Sequence, residues 1–246
     1  MKEKASGRLF VVGIGPYDEK FMSSYALDVI RLAHIICGYK TYIDRIIHFV
    51  DRNIQQVFVY NMGQEIDRVS DAIKFAVSGN NVALVSGGDS SLYGLASLVY
   101  ELSPDYLSVD IVPGITAALA ASARLGAVIS EDTVFLSLSD LLIPWEVLKE
   151  RIDRLANVDI VAAIYNPKSK SRIHQLEYLI STYYKARGPL LAGAVKNACS
   201  PKESIKIFQL PTIDYSFIDM STILIIGSTK TYKKNDKLVT PRGYKL

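Results

Sequence analysis

Short apolar runs alternate along this chain with longer stretches in which apolar residues recur every three or four positions. The runs at 8–12, 57–60, 82–85, 108–112, 133–138, 158–165, 190–195, 204–210 and 222–226 read as strands. Their near-continuous hydrophobicity suits strands covered on both faces. Between them, Ala26, Val29, Ile30, Ala33 and Ile36 share one helical face behind a Ser23 or Ser24 cap. Leu92, Leu95, Ala96, Val99 and Leu102 share another. The same spacing predicts helices over 44–50, 65–77 and 117–125, from Pro144 to 155, and from 173 to about 185. Residues 37–42 read as a polar turn. Strand and helix in alternation imply an α/β protein with mainly parallel or mixed sheets. The pattern restarts after Gly126, so two α/β domains are expected, 1–113 and 114–246, with a ligand cleft between them.

Candidate chemistry gathers where strands end. The segment 82–94 runs strand, Ser86-Gly87-Gly88-Asp89, helix. Ligands of open α/β sheets bind beyond the carboxyl ends of strands, and glycine lets them approach the backbone. Asp89 is then either a helix N-cap or an acceptor for a ligand's hydroxyl or amine. Comparable bends follow other strands at 13–18, 113–117, 166–172 and 196–201. The first, Gly13-Ile14-Gly15-Pro16-Tyr17-Asp18, has Asp18 where the dinucleotide fingerprint needs a third glycine. That weakens a dinucleotide-binding reading. The small residues of 117–123 let a helix pack closely or leave room for a flat ligand. Lys40, Lys168, Lys170, Arg172, Lys196 and Arg242 could rim such a pocket or simply be solvated charges. A ligand rich in carboxylates would benefit from them, the arginines above all. The histidines, His34, His48 and His174, are scattered, and no triad, metal-ligand cluster or phosphate-binding loop is legible.

Composition narrows the partners. Lys and Arg number 28 against 25 Asp and Glu, a net charge of +3. That gives no ground for a nucleic-acid partner and suits an acidic small molecule. Cys37 and Cys199 stand far apart, outside any paired motif, which favours a reducing compartment without disulfide or zinc. The first residues lack the apolar core of a signal peptide, and no apolar run approaches the roughly 20 residues that span a bilayer. A cytoplasmic protein without membrane segments is expected.

The bends, in this order, resemble those of the tetrapyrrole methylases, S-adenosylmethionine-dependent enzymes, from about residue 8 to residue 244. Gly13–Pro16, Ser86–Asp89 and Val112-Pro113-Gly114-Ile115-Thr116 are similar to the family's general motifs. Gly38-Tyr39-Lys40-Thr41-Tyr42, the segments 136–146 and 165–172, and the ending Thr240-Pro241-Arg242-Gly243-Tyr244 resemble one branch, the precorrin-3B and cobalt-factor III C17-methyltransferases. The resemblance implies a homodimer with S-adenosyl-L-methionine folded between two α/β domains. It places Pro16 beside this cofactor and Gly87, Gly88, Asp89 and Leu92 at its ribose or methionine end. Thr116 and Ala117 would meet its amino-acid part, and Asn166 and Ala198 its adenine. Lys40, Lys168, Arg172 and Arg242 would meet the tetrapyrrole. The implied reaction methylates C17 of a cobalamin precursor and contracts its macrocycle. No catalytic residue is assigned; Asp89, Tyr93, Asp140 and Tyr165 are polar candidates for the proton transfers of ring contraction.

Two positions depart from the family pattern. Tyr17 stands where the first bend has a second glycine, and Ser90 where the central turn has proline. A tyrosine disfavours positive φ. The first loop is therefore expected to adopt a different shape, and the ring to narrow access for a large macrocycle. The alternatives are a sister methylase acting at another position and a non-catalytic binder of cofactor or macrocycle.

Overall fold

The structure is a computed structural model that describes residues 7–245. The chain divides into two compact units, with the division after Ala117.

The first unit is built on a five-stranded sheet. In chain order it comprises β1 (Arg8–Gly13), α1 (Ser24–Leu32), β2 (Ile35–Tyr39), α2 (Lys40–Ile46), β3 (Gln56–Tyr60), α3 (Glu65–Val77), β4 (Val82–Ser86), α4 (Ala96–Leu102) and β5 (Ser108–Val112). The strand order is β3-β2-β4-β1-β5, and every pairing is parallel. A parallel sheet must be covered on both faces. Val69, Ala72, Ile73 and Ala76 of α3 pack with Leu9, Val11, Val82 and Leu84 on one side. Ala26, Val29 and Ile30 of α1 and Ile43 and Ile46 of α2 pack with Val12, Ile36, Ala83 and Val85 on the other. Because all five strands run the same way, their carboxyl ends, and the bends that follow them, lie at one edge.

The second unit carries α5 (Ala117–Leu125), β6 (Gly126–Ala127), β7 (Thr133–Ser137), α6 (Trp145–Ala156), β8 (Val161–Tyr165), α7 (His174–Arg187), β9 (Leu191–Lys196), β10 (Ser204–Gln209), β11 (Thr222–Ile226), β12 (Tyr232–Lys234) and β13 (Lys237–Val239). Its main sheet has the order β10-β9-β11-β8-β7. β7 and β8 are parallel, while β11 runs against both β8 and β9. The carboxyl ends of β7, β8 and β9 therefore face one way. Leu148, Ile152, Leu176, Leu179, Ile180 and Tyr183 of α6 and α7 close over this sheet.

Three details correct the sequence reading. Ile36 belongs not to α1 but to β2, because the helix stops at Leu32 and Ile35-Ile36-Cys37 lies fully inside the sheet. Residues 40–42, expected in a turn, open α2. The helix expected to start at Leu92 starts at Ala96, so Asp89 is not its N-cap. A small third sheet, β12-β13-β6, has no apolar run to announce it. None of the described helices is long and apolar enough to cross a membrane.

Candidate functional site

Three glycine bends of the first unit lock together at the carboxyl edge of its sheet. Gly15 donates its N–H to the Gly88 carbonyl at 3.0 Å, and Gly88 returns the bond at 2.9 Å. Both have positive φ, +68° and +66°, a conformation that glycine takes without a Cβ penalty. The third bend joins through Gly114. A Cβ there would lie 2.2 Å from the Gly88 carbonyl oxygen and 2.7 Å from that of Gly13. Only hydrogen lets the three backbones approach so closely.

Asp89 fastens this assembly. One carboxylate oxygen accepts from Gly114 N–H at 2.9 Å, the other from Ser91 N–H at 2.8 Å and from the Ser91 hydroxyl. Burial opposes its ionisation, but the donors of Ser91, Gly114 and Leu92 outweigh it and hold the carboxyl below its usual range. Asp89 is thus a half-buried, ionised acceptor tying the central bend to the third. Gly87 lies against Tyr42: a Cβ there would meet the Tyr42 ring at 2.5 Å. Leu92 lies in the irregular stretch before α4, and exposed Tyr93 there has φ +54°. Thr116 is buried, and Ala117 is half-buried at the start of α5.

The departures from the family pattern are absorbed locally. Tyr17 is not among the residues with positive φ; Gly15 alone carries that turn of the first bend. Tyr17 therefore needs no left-handed backbone, and its ring is about half exposed. Ser90 is fully buried, and its hydroxyl donates to the Val11 carbonyl at 3.2 Å. Arg45, on α2, is a residue the sequence gave no reason to select. Its Nε donates to the Tyr17 carbonyl at 3.1 Å, and its Nη2 reaches the carbonyls of Gly15 at 3.1 Å, Ile14 at 3.4 Å and Pro16. The partners are backbone oxygens of a distant loop, which leave no trace in side-chain spacing. Pro16, held in this way, is buried.

The second unit places two further bends at the common edge of β8 and β9. Asn166, with φ +48°, donates through Nδ2 to the Ser137 hydroxyl at 2.9 Å. Arg172 donates to the carbonyls of Asn166, at 2.8 Å, and Leu138, so it braces the ends of β7 and β8. Desolvation lowers its pKa, and Asp140 opposes that. Lys168 Nζ donates to the Tyr215 carbonyl at 2.7 Å. After β9, half-buried Ala198 sits between Asn197 and Cys199, whose φ values are +49° and +64°. Left-handed backbone at non-glycine residues concentrates at binding sites. The Tyr165 hydroxyl accepts the Ala118 N–H at 3.0 Å, at the head of α5.

The expected basic rim is therefore mixed. Lys168 and Arg172 brace loops, Lys40 pairs with Asp44 at 2.8 Å, and Arg242 lies exposed in the C-terminal stretch. The histidines have structural neighbours: His34 accepts from Asn81 N–H, His48 meets Glu19 at 2.6 Å, and His174 packs edge-on against Trp145.

The family model for Tetrapyrrole (Corrin/Porphyrin) Methylases matches residues 8–214. The chain belongs to this family. It is 39% identical to a probable cobalt-factor III C(17)-methyltransferase of Salmonella typhimurium, over 97% of this chain and 100% of that protein. It is 40% identical to the cobalamin biosynthesis protein CbiHC of Archaeoglobus fulgidus, over 97% of this chain but 53% of that protein, so it spans about half of that relative's length. Among solved structures, the methyltransferase CobJ matches with a TM-score of 0.90 at 31% identity, covering 96% of this chain and 100% of that one.

Proposed function

We infer that this tetrapyrrole methylase is a C17-methyltransferase of cobalamin biosynthesis acting on cobalt-factor III or precorrin-3B. The observation that carries the reading is the match, end to end, to a relative named for that reaction. A structural likeness of 0.90 in TM-score to CobJ supports it.

S-adenosyl-L-methionine, when bound, supplies an electrophilic methyl group. The residues of the central bend fit such a cofactor. A Cβ at Gly88 would lie in ordinary contact, 3.8 Å from Thr116 and Ala117, so the bend brings its backbone against two other residues assigned to the cofactor. Asp89 stays ionised, and the donors of Ser91, Gly114 and Leu92 that it accepts fix the bend on which such a cofactor would rest. We assign the cofactor contacts to Pro16, Gly87, Gly88, Asp89, Leu92, Thr116, Ala117, Asn166 and Ala198. Lys40 and Arg242, both exposed, are assigned to substrate carboxylates. Lys168 and Arg172 act there by holding their loop. Methyl transfer needs alignment at about 3–3.5 Å rather than acid or base, and rigid bends held by Asp89 and Arg45 supply it. The contraction of the macrocycle, the homodimer and a cytoplasmic location complete the reading.

Incubating the pure protein with S-adenosylmethionine and either substrate is expected to give a product heavier by one methyl group. No mass gain with either would refute the assignment. Tight S-adenosylmethionine binding without turnover would favour the non-catalytic alternative that Tyr17 and Ser90 motivate.

A further inference from the structure

The loop between β7 and α6 carries the most exposed large apolar residues among the described ones. Leu141 is 88% exposed and Leu142 96%. Single apolar residues on a surface need no explanation, but a neighbouring pair so far from the core does. The local sequence explains how they come to be there. Pro144 caps α6 with φ −56° and ψ +144°, and proline holds the residue before it extended. Leu141-Leu142-Ile143 therefore leaves the line of α6 instead of extending its buried face, which Leu148, Ile152 and Ala156 form.

The foot of the loop is fastened. Leu138 donates its N–H to the Tyr165 carbonyl at 3.0 Å, and Ser139 donates its N–H to the Ser137 hydroxyl at 3.2 Å. One Asp140 oxygen accepts from Nε2 of Gln175 at 2.7 Å, and Gln175 is fully buried on α7. Arg172 stands 3.8 Å from the other oxygen and donates to the carbonyls of Leu138 and Asn166. One guanidinium thus ties the loop to the bend that carries Asn166. β7 and β8 run parallel, so the loop and that bend leave the sheet at the same carboxyl edge. Ligands of parallel strands bind at this edge.

We propose that Leu141 and Leu142 are substrate contacts that lie against a flat face of the tetrapyrrole macrocycle. The assignment rests on the C17-methyltransferase reading. The ring system of such a substrate presents an apolar face, and two leucines on an anchored loop match it. Covering them takes apolar surface out of water that folding has left there, which favours binding. A protein partner needs more, because stable interfaces engage roughly 20–30 residues a side. The exposed apolar residues of this loop are Leu141, Leu142 and Pro144, with Asp140 and Glu146 at either end. The loop also lies within 136–146, one of the segments by which the chain resembles the C17 branch rather than the family at large.

The test is the double variant Leu141→Ala with Leu142→Ala in the full chain, beside the conservative double variant Leu141→Met with Leu142→Met. Four quantities are read: melting temperature, oligomeric state by sedimentation, S-adenosylhomocysteine affinity by calorimetry, and KM and kcat with cobalt-factor III. For the alanine pair, the melting temperature and oligomeric state stay those of the wild type, since neither side chain is part of the core. S-adenosylhomocysteine affinity stays within about twofold, while KM for cobalt-factor III rises roughly 10-fold or more with kcat little changed, as loss of an apolar contact made equally in ground and transition states requires. The methionine pair restores most of the loss. An unchanged KM for the alanine pair overturns the proposal, and wild-type turnover then leaves the C17 reading intact. A smaller oligomer for the alanine pair also overturns it, by giving the leucines to a second copy of the chain. A loss of S-adenosylhomocysteine affinity as large as the rise in KM overturns it too, by giving them to the cofactor. A wild-type protein that methylates neither cobalt-factor III nor precorrin-3B removes the reading and this assignment together.

Discussion

At the scale of single residues, the candidate site depends on what is missing as much as on what is present. Gly114 has only hydrogen where a methyl would meet two backbone oxygens. Backbone held by two other bends cannot move aside, so Gly114→Ala is expected to destabilise by about 1–3 kcal/mol, as overpacking does. Urea denaturation reads this directly; wild-type stability would mean that the bends are looser than their contacts imply. Arg45 is the converse case, one side chain serving four carbonyls. Arg45→Met should lose about 2 kcal/mol, because hydrogen bonds from a charged donor contribute more than neutral ones. Arg45→Lys should recover only part, since an ammonium lacks the planar fork. A full recovery with lysine would show that charge alone suffices.

At the scale of elements, the loops of the second unit are pinned by ions. Asp219 takes bonds from Lys196, from Ser221 N–H at 2.8 Å and from the Ser221 hydroxyl at 2.6 Å, joining the end of β9 to the start of β11. Burial alone would raise its pKa, but these donors bring it down to about 2. An unfolded aspartate titrates near ~3.9. The folded value is lower, so this contribution is present above about pH 4 and fades as pH falls towards about 2. The side chain is 44% exposed, which limits the effect to about 1 kcal/mol or less. The stability gap between wild type and Asp219→Asn should therefore narrow from pH 6 to pH 3 in urea titrations. A constant gap would contradict the ion-pair account.

The elements also show what a sequence can and cannot announce. Fully buried strands such as β4 and β8 were legible because both faces must be apolar. β2 was not, because its isoleucines continue the helical spacing of α1 without a glycine or proline between them. β6, β12 and β13 are two or three residues long and largely exposed, so no pattern could mark them. The bends of the candidate site were legible through their glycines, and Asp89 with them, but the carbonyls that Arg45 and Ser90 hold were not. Arg45 acts on carbonyls of residues 14–17, and Ser90 on the carbonyl of Val11.

At the scale of the whole molecule, each unit brings its bends to the carboxyl end of its own sheet, three in the first and two in the second. Family membership rests on 8–214, and the C17 assignment on relatives matched along nearly the entire chain. Neither depends on any single motif, which is why Tyr17 and Ser90 do not disturb them. The most direct test uses S-adenosylmethionine carrying a carbon-13 methyl, cobalt-factor III and the pure protein, with NMR of the product. The account predicts that the label appears at C17. A label at any other carbon, or an unlabelled macrocycle, would contradict it.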